Sequence, residues 1–277
     1  MSSIAHDHLS SWVHQARQQG AFRPMEDSNT WGSQYLWTLK PEELAAALRR
    51  LKPGKSPGLD SIFPEFILHA GLALKFLFCD FPTSCICQLK IPKIWRRALT
   101  VAIPKPENTL GDPKSYHPTS LLCVPFKILE RLTYAHVDPV VNPLLPRGQA
   151  EFEHGRSTVD QATLLTWDIE DSFSTKKKAG AVFVNLTAAY DTVWHHGLTC
   201  KLLHLLPDRH IVHMIMEMVY NRSFTLTTGN GKRSRLRCPK KNVPQGSVLV
   251  LLLYNIYISN LPTTVSRKYA YDNMLTI

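Results

Sequence analysis

The apolar run from Gly180 to Val184 ends on a polar residue, Asn185, and a helix-compatible segment carrying Tyr190, Asp191 and Trp194 follows it. A strand that delivers one oxygen-bearing side chain at its end is how a protein builds a divalent-metal site for phosphoryl transfer. In such a site the delivered residue is an aspartate, because magnesium takes hard, charged oxygen ligands. Here it is an amide. The segment is therefore either a metal site of unusual make-up or the frame of one that has lost its charge.

A second chemistry is carried by cations. Phe224 to Thr228, then Gly229-Asn230-Gly231, then Lys232 to Leu236 read as a β-hairpin with a short glycine turn. Its second arm carries Lys232, Arg233, Arg235 and Arg237, with Lys240 and Lys241 just beyond. Spaced cations on such an arm bind phosphates, or stand as solvated charge with no partner. Lys176 to Lys178 reads as a solvated loop. His195, His196, His204, His210 and His213 lie on or between helices without matching Cys or carboxylate partners, and read as surface or helix-end histidines.

The bulk properties point the same way. A chain of 277 residues, 44% apolar, buries a sizeable core, and 32 Lys and Arg against 22 Asp and Glu leave a net charge of +10. That excess favours a polyanionic partner, nucleic acid ahead of a membrane surface. The start lacks the apolar core of a secretory signal, and the longest apolar run, Val248 to Ile258, is too short to span a bilayer. An intracellular protein of the nucleus or cytoplasm, with no membrane partner, is expected. Cys79, Cys85, Cys87, Cys123, Cys200 and Cys238 make no disulfide framework and read as reduced thiols.

The elements that must position these residues follow from pattern. A helix starts at Pro41, with Thr38 as cap, Glu42 and Glu43 at the positive end of its dipole, and Leu39, Leu44, Leu48 and Leu51 as an apolar stripe. The basic, glycine-rich turn at 54–60, before another helix start at Pro64, lets a backbone approach closely or simply connects the two helices, the connector being favoured. A buried helical segment after residue 66 gives way to short strands. Leu99 to Ile103 and Ser115 to Leu122 form a hairpin around a basic loop. Helices are expected at Val124 to Val141, at Ser157 to Ser174 with Thr158 and Gln161 at capping-box spacing, at Leu198 to Leu206 and at Arg209 to Tyr220. The turn Val243-Pro244-Gln245-Gly246-Ser247 opens a last apolar helix. Helices interleaved with hairpins give an α+β class with an antiparallel sheet.

Seven motifs then stand in a specific order: Pro53 to Asp60, Ile103-Pro104-Lys105-Pro106, Tyr116-His117-Pro118, Gly155-Arg156-Ser157-Thr158, Phe183 to Asp191, Val243 to Ser247, and Tyr269 to Leu275. Together, over about residues 41 to 277, they resemble the reverse transcriptase of non-LTR, LINE-type (Jockey- or CR1-like) retrotransposons. The resemblance implies a right-hand polymerase of fingers and palm, with helices packed on an antiparallel palm sheet. Residues 1–40 would be an arm of unassigned role and 41–95 a helical extension of the fingers. Residues 96–277 would be the reverse-transcriptase domain, with fingers to about 175, palm over about 176–277, and the thumb, later palm strands and endonuclease missing. The implied partners are an RNA template, a DNA primer and deoxynucleoside triphosphates, and the implied cofactor is magnesium.

Carried over by position, Asn185, Asn273 and Met274 take the places of the family's metal-binding aspartates, and Asp272 stands one residue away as a weak substitute. Tyr190 resembles the aromatic gate that rejects a ribose 2′-OH, and Gln245 and Gly246 the turn that packs against incoming nucleotide and template. Lys105 and His117 stand where the fingers hold the triphosphate, arginine being usual at the second. Glu151-Phe152-Glu153 replaces the family's Gly-Phe-Arg, and Lys241-Asn242 its Asn-Gly. Amide oxygens carry no net charge and a thioether is soft, so this donor set gives magnesium little reason to shed water. The expectation is a reverse-transcriptase-like domain that no longer polymerises. The alternatives are a non-enzymatic basic nucleic-acid-binding remnant or a relic without function.

Overall fold

The computed structural model describes residues 37, 39–106, 112, 115–145, 157–179, 189–227 and 231–259, with residues 72–79 described by their backbone alone. Outside these lie the strand expected at 180–185 with Asn185, the stretch 151–156, and Thr38. The glycine turn at 229–230, the closing segment with Asp272, Asn273 and Met274, and the arm at 1–36 lie outside them as well.

Helix α1 (Pro41–Arg49) starts on a proline whose fixed φ suits a first turn. Its cap falls at Lys40 rather than Thr38, and the Lys40 N–H donates to Glu43 Oε2 at 2.9 Å. Leu44, Ala47 and Leu51 are buried, with Leu39 and Leu48 packed against the core. The turn that follows does more than connect helices. A side chain on Gly58 would run into the backbone of Leu122 and Cys123, so this turn lies directly on the start of a later helix. That approach buries Asp60, whose Oδ1 accepts from the Ile62 N–H at 3.2 Å.

Burial pushes the Asp60 carboxyl up to about 6, only partly offset by hydrogen bonds from the Ile62 N–H and the Cys123 thiol. The folded state thus binds this proton more tightly than the unfolded chain does. The cost of the buried charge is absent below about pH 4, where Asp60 is protonated in both states, and is complete above about pH 6. Asp60→Asn is therefore expected to raise stability at pH 7.5 by roughly 1–3 kcal/mol and to leave it little changed at pH 4. Urea midpoints at the two pH values check this; an equal gain at both would remove the buried charge as its cause.

Helices α2 (Pro64–Leu68) and α3 (Leu72–Gln88) lead to the centre of the core. Trp95 is fully buried there, with Phe81 edge-on at 4.6 Å and Phe126 at 6.1 Å between ring centroids. Phe126 belongs to α4 (Val124–Val141), whose limits match the expected ones and which packs against α1.

The sheet has the order β2 (Tyr116–Leu121), β1 (Arg97–Pro104), β3 (Ser223–Thr227). β1 and β2 form the expected antiparallel hairpin, Leu99 opposite Leu121 and Pro104 opposite Tyr116. β3 corrects the antiparallel expectation: it runs parallel to β1, Arg97 opposite Ser223 and Val101 opposite Thr227. The reason is the long connection between the two strands, which returns the chain to the same end of the sheet as a parallel pair requires.

Both sheet edges are covered. On β2 the Ser120 N–H points outward and donates to Gln245 O at 2.9 Å, and Pro118, two residues earlier on the same edge, has no N–H to leave unpaired. On β3 Phe224 exchanges two 2.9 Å backbone bonds with Arg237, and the Ser234 N–H donates to Leu226 O at 2.8 Å. The expected second hairpin arm is thus pinned at isolated bridges, Phe224 to Arg237 and Thr227 to Arg233, rather than forming a regular strand.

The remaining helices are α5 (Thr158–Ser174), α6 (His195–Leu205), α7 (Arg209–Val219) and α8 (Val250–Ile258). The capping box of α5 is closed by Ser157 and Asp160, not by Thr158 and Gln161. The Ser157 N–H donates to Asp160 Oδ2 at 2.7 Å, while Gln161 turns inward and is buried. Asp208 caps α7, accepting from the His210 N–H at 2.8 Å. α6 packs on both α7 and α8, and α8 is buried almost all round. Among the described residues no helix is long and apolar enough to cross a membrane.

Candidate functional site

An open pocket of about 370 Å³ lies between the sheet and the chain from Pro239 to Gln245. Ala98 and Thr100 of β1, Pro118 and Ser120 of β2 and Phe224 of β3 contribute to its walls, Arg222 and Asp191 lie along it, and Lys241, Asn242 and Gln245 close it.

The closing wall is held by backbone geometry. The Val243 N–H donates to Tyr190 O at 2.9 Å and the Asn242 N–H to Val193 O at 3.2 Å. His195 completes the clasp, its Nε2 bonded to Asn242 O at 2.7 Å with the ring edge-on to Tyr220. Of the five histidines read as surface or helix-end groups, His196, His204 and His213 are exposed, while His195 and His210 stand in the first turns of α6 and α7 and each bonds a backbone carbonyl. His195 is buried as a structural donor, and His210 bonds Ile86 O at 2.7 Å in the same manner. No group of three His, Cys, Asp or Glu among the described residues is placed to hold a metal ion.

Gly246 has a structural reason to be glycine. Its φ is +109°, and an added Cβ would stand 2.5 Å from Ser120 O on the β2 edge. The residue thus lets the turn lie flat on the sheet while Gln245 stays exposed at the pocket rim. Gly246→Ala is expected to cost about 1–3 kcal/mol through its backbone conformation and the close approach. Gly54→Ala has a positive φ of 72° but open space around it, and is expected to cost about 1 kcal/mol or less. Equal losses of thermal stability in the two variants would show that the contact with Ser120 contributes nothing.

Beneath the turn lies a buried network that sequence reading missed. Glu130, on α4, accepts hydrogen bonds from the Ser247 hydroxyl and from the Val248 N–H, the latter at 2.9 Å. Burial pushes its carboxyl up, while the nearby Arg222 guanidinium and these two donors draw it back. Arg222 is itself buried, lies over the Phe126 ring at 5.1 Å, and donates from Nη1 to Met218 O at 3.1 Å. Burial lowers Arg222 to about 10, so it remains protonated at neutral pH. Two donors and a cation around one carboxyl fit the ionised form. The signal was present in α4: Phe126, Glu130, Thr133 and Val137 follow the spacing of a helix face, and all are buried.

The pocket gathers some of the expected residues and not others. Gln245 and Lys241 line it, and the other five cations of the arm, Lys232, Arg233, Arg235, Arg237 and Lys240, are exposed. Tyr190 is half-buried with its ring edge-on to Tyr254 of α8 at 5.0 Å, so Asp191 rather than Tyr190 lines the pocket. Burial there raises the Asp191 carboxyl. Lys105 lies beyond the end of β1, its N–H bonded to Ser115 O at 2.8 Å, and His117 is exposed opposite Ile103. Neither lines the pocket.

A sheet backed by helices, with a proline-glutamine-glycine turn laid on its edge beside a cationic arm, is an α+β arrangement suited to a phosphate-bearing ligand. The family described as "Reverse transcriptase (RNA-dependent DNA polymerase)" matches residues 103–276, and the chain belongs to that family. Its relatives are the RNA-directed DNA polymerases of non-LTR retrotransposons. It is 33% identical over 227 residues to the probable RNA-directed DNA polymerase from transposon BS of Drosophila melanogaster, covering 81% of this chain and 25% of that protein. It is also 33% identical over 224 residues to the RNA-directed DNA polymerase from mobile element jockey of Drosophila funebris, covering 80% of this chain and 24% of the relative. The chain thus spans about a quarter of the length of these curated relatives.

Reverse transcriptases work with divalent metal ions, and Asn185, Asn273 and Met274 lie outside the described residues. Asp191, on the short helical turn Ala189–Thr192, is the one carboxylate lining the pocket among the described residues.

Proposed function

We propose that this reverse-transcriptase-type domain holds nucleic acid, RNA template with DNA primer by family analogy, but does not extend the primer. The reading of residues to about 175 as fingers and 176–277 as palm belongs to the same proposal, as do the roles of Lys105, His117, Tyr190, Gln245 and Gly246 toward a nucleotide. The observation that carries the binding half is the arm from Lys232 to Lys241. Its backbone is fixed to β3 at Phe224, Leu226 and Thr227, while its six Lys and Arg side chains are exposed next to the pocket. A phosphate-directed contact needs only such cations, and survives the loss of a metal site. The donor set at Asn185, Asn273 and Met274 supports the other half.

Binding to an RNA–DNA hybrid is expected to weaken linearly on a log–log plot against salt. Neutralising Arg233, Arg235 and Arg237 together to Gln should reduce the slope by roughly 2 to 3. Fluorescence anisotropy across a salt series measures both. Binding indifferent to salt, or a slope unchanged in the triple variant, would sink the assignment to the arm.

A further inference from the structure

A second pocket, of about 260 Å³, opens where α1, α4 and α8 meet, and shares no lining residue with the one beside the arm. Two guanidiniums line it: Arg50, exposed just beyond the end of α1, and Arg131, half-buried on α4. Arg131 Nη1 is buried and has no hydrogen-bond partner among the described residues. Leu251 and Leu252 of α8 supply apolar wall. The one carboxylate lining the pocket, Asp138, already bonds the Tyr134 hydroxyl.

Two like charges brought to one half-enclosed pocket oppose each other. Burial and Arg50 both hold the Arg131 guanidinium below its usual value. A fold that accepts that cost and also leaves a guanidinium N–H unpaired has the makings of an anion site. Guanidinium forks match the tetrahedral oxygens of phosphate, and a multiply charged anion answers both cations where a single carboxylate answers one.

We propose that the Arg50–Arg131 pocket binds a phosphate group, independently of the pocket beside the arm. The group can come from a free anion such as pyrophosphate or from the backbone of a nucleic-acid strand crossing this face.

Isothermal titration of the full chain with inorganic pyrophosphate tests this, run on the wild type, Arg50→Gln, Arg131→Gln and Arg233→Gln. Binding to the wild type is expected to weaken by about tenfold or more in Arg50→Gln and Arg131→Gln, and by much less in Arg233→Gln, which lies outside this pocket. Arg50 is exposed and beyond the helix, so Arg50→Gln keeps the test decisive even where Arg131→Gln fails to fold. A parallel titration with a 12-nucleotide RNA identifies the source. An equal loss in Arg50→Gln assigns the phosphate to a strand, whereas a loss for pyrophosphate alone assigns a free anion, and both support the site. No binding of pyrophosphate to the wild type, or undiminished binding to Arg50→Gln, overturns it. Loss confined to Arg233→Gln places the anion on the arm and overturns it equally.

Discussion

Glu130→Ala is expected to destabilise the fold by about 3–5 kcal/mol, a large fraction of the stability of an ordinary domain. The deleted carboxylate holds three things at once. It accepts from the Ser247 hydroxyl and the Val248 N–H, and it is the nearby charge that draws on Arg222. Without it Arg222 stays buried, with only Met218 O and the Phe126 face to answer it. Ser247→Ala, which removes one donor and leaves the Val248 bond, is expected to cost about 1–2 kcal/mol. The double replacement Glu130→Met with Arg222→Met removes the charges from both sides and is expected to recover most of the loss. Guanidinium titrations of the four proteins measure these terms. A cost below 1 kcal/mol for Glu130→Ala would mean that the charges are solvated and the network is only a neighbourhood.

The network explains why the turn at Gln245 and Gly246 keeps its place. Two surfaces grip it: the β2 edge at Ser120 on one side and Glu130 of α4 at its exit. His195 and the clasp from Asn242 to Val193 hold its approach. The described contacts that hold the turn thus come from Ser120, Glu130, Tyr190, Val193 and His195.

Much of this frame was legible in the sequence because it rests on local signals. α4 buries eight apolar residues and has a proline in its first turn, and its limits agree with expectation. The β1–β2 hairpin is a contact between near neighbours in the chain. What was not legible depends on long-range pairing. β3 joins β1 across more than a hundred residues, and nothing in Phe224-Thr225-Leu226 specifies a parallel partner. The capping residues were misread by one position at α5, because Thr158-Gln161 and Ser157-Asp160 are both plausible by spacing and only the turn geometry chooses. Glu130 and His195 were overlooked for a shared reason: a polar residue on a helix reads as solvent-facing until its partner, distant in sequence, is known. Glu130 did carry a warning, since it falls in phase with Phe126, Thr133 and Val137. The roles toward nucleotide came from motif order, which records ancestry and says nothing of burial. Gly58, placed in a connector, proved to be a point of backbone contact with Cys123.

Asn185→Asp, Asn273→Asp and Met274→Asp introduced together are expected to raise primer extension on an RNA template by roughly three orders of magnitude or more over the unaltered chain. The size follows from what the carboxylates supply. They hold two ions close together, favour loss of the proton from the attacking 3′-hydroxyl, and offset charge on the phosphate oxygens, which is worth several kcal/mol, at about 1.4 kcal/mol per decade of rate. Amides at 185 and 273 provide oxygen without charge, and the thioether at 274 provides neither hard oxygen nor charge. Asp272, one residue from the required place, is left unchanged in this variant as the weak substitute. Single restorations are expected to gain little, since one aspartate among two neutral donors leaves the second ion unheld. Manganese, which accepts poorer oxygen sets more readily than magnesium, is the demanding control for the unaltered chain. Measurable extension by that chain in either metal would show that it polymerises with its amides in place. Absence of extension in the triple variant, with hybrid binding intact, would move the defect from the metal positions to the rest of the catalytic frame.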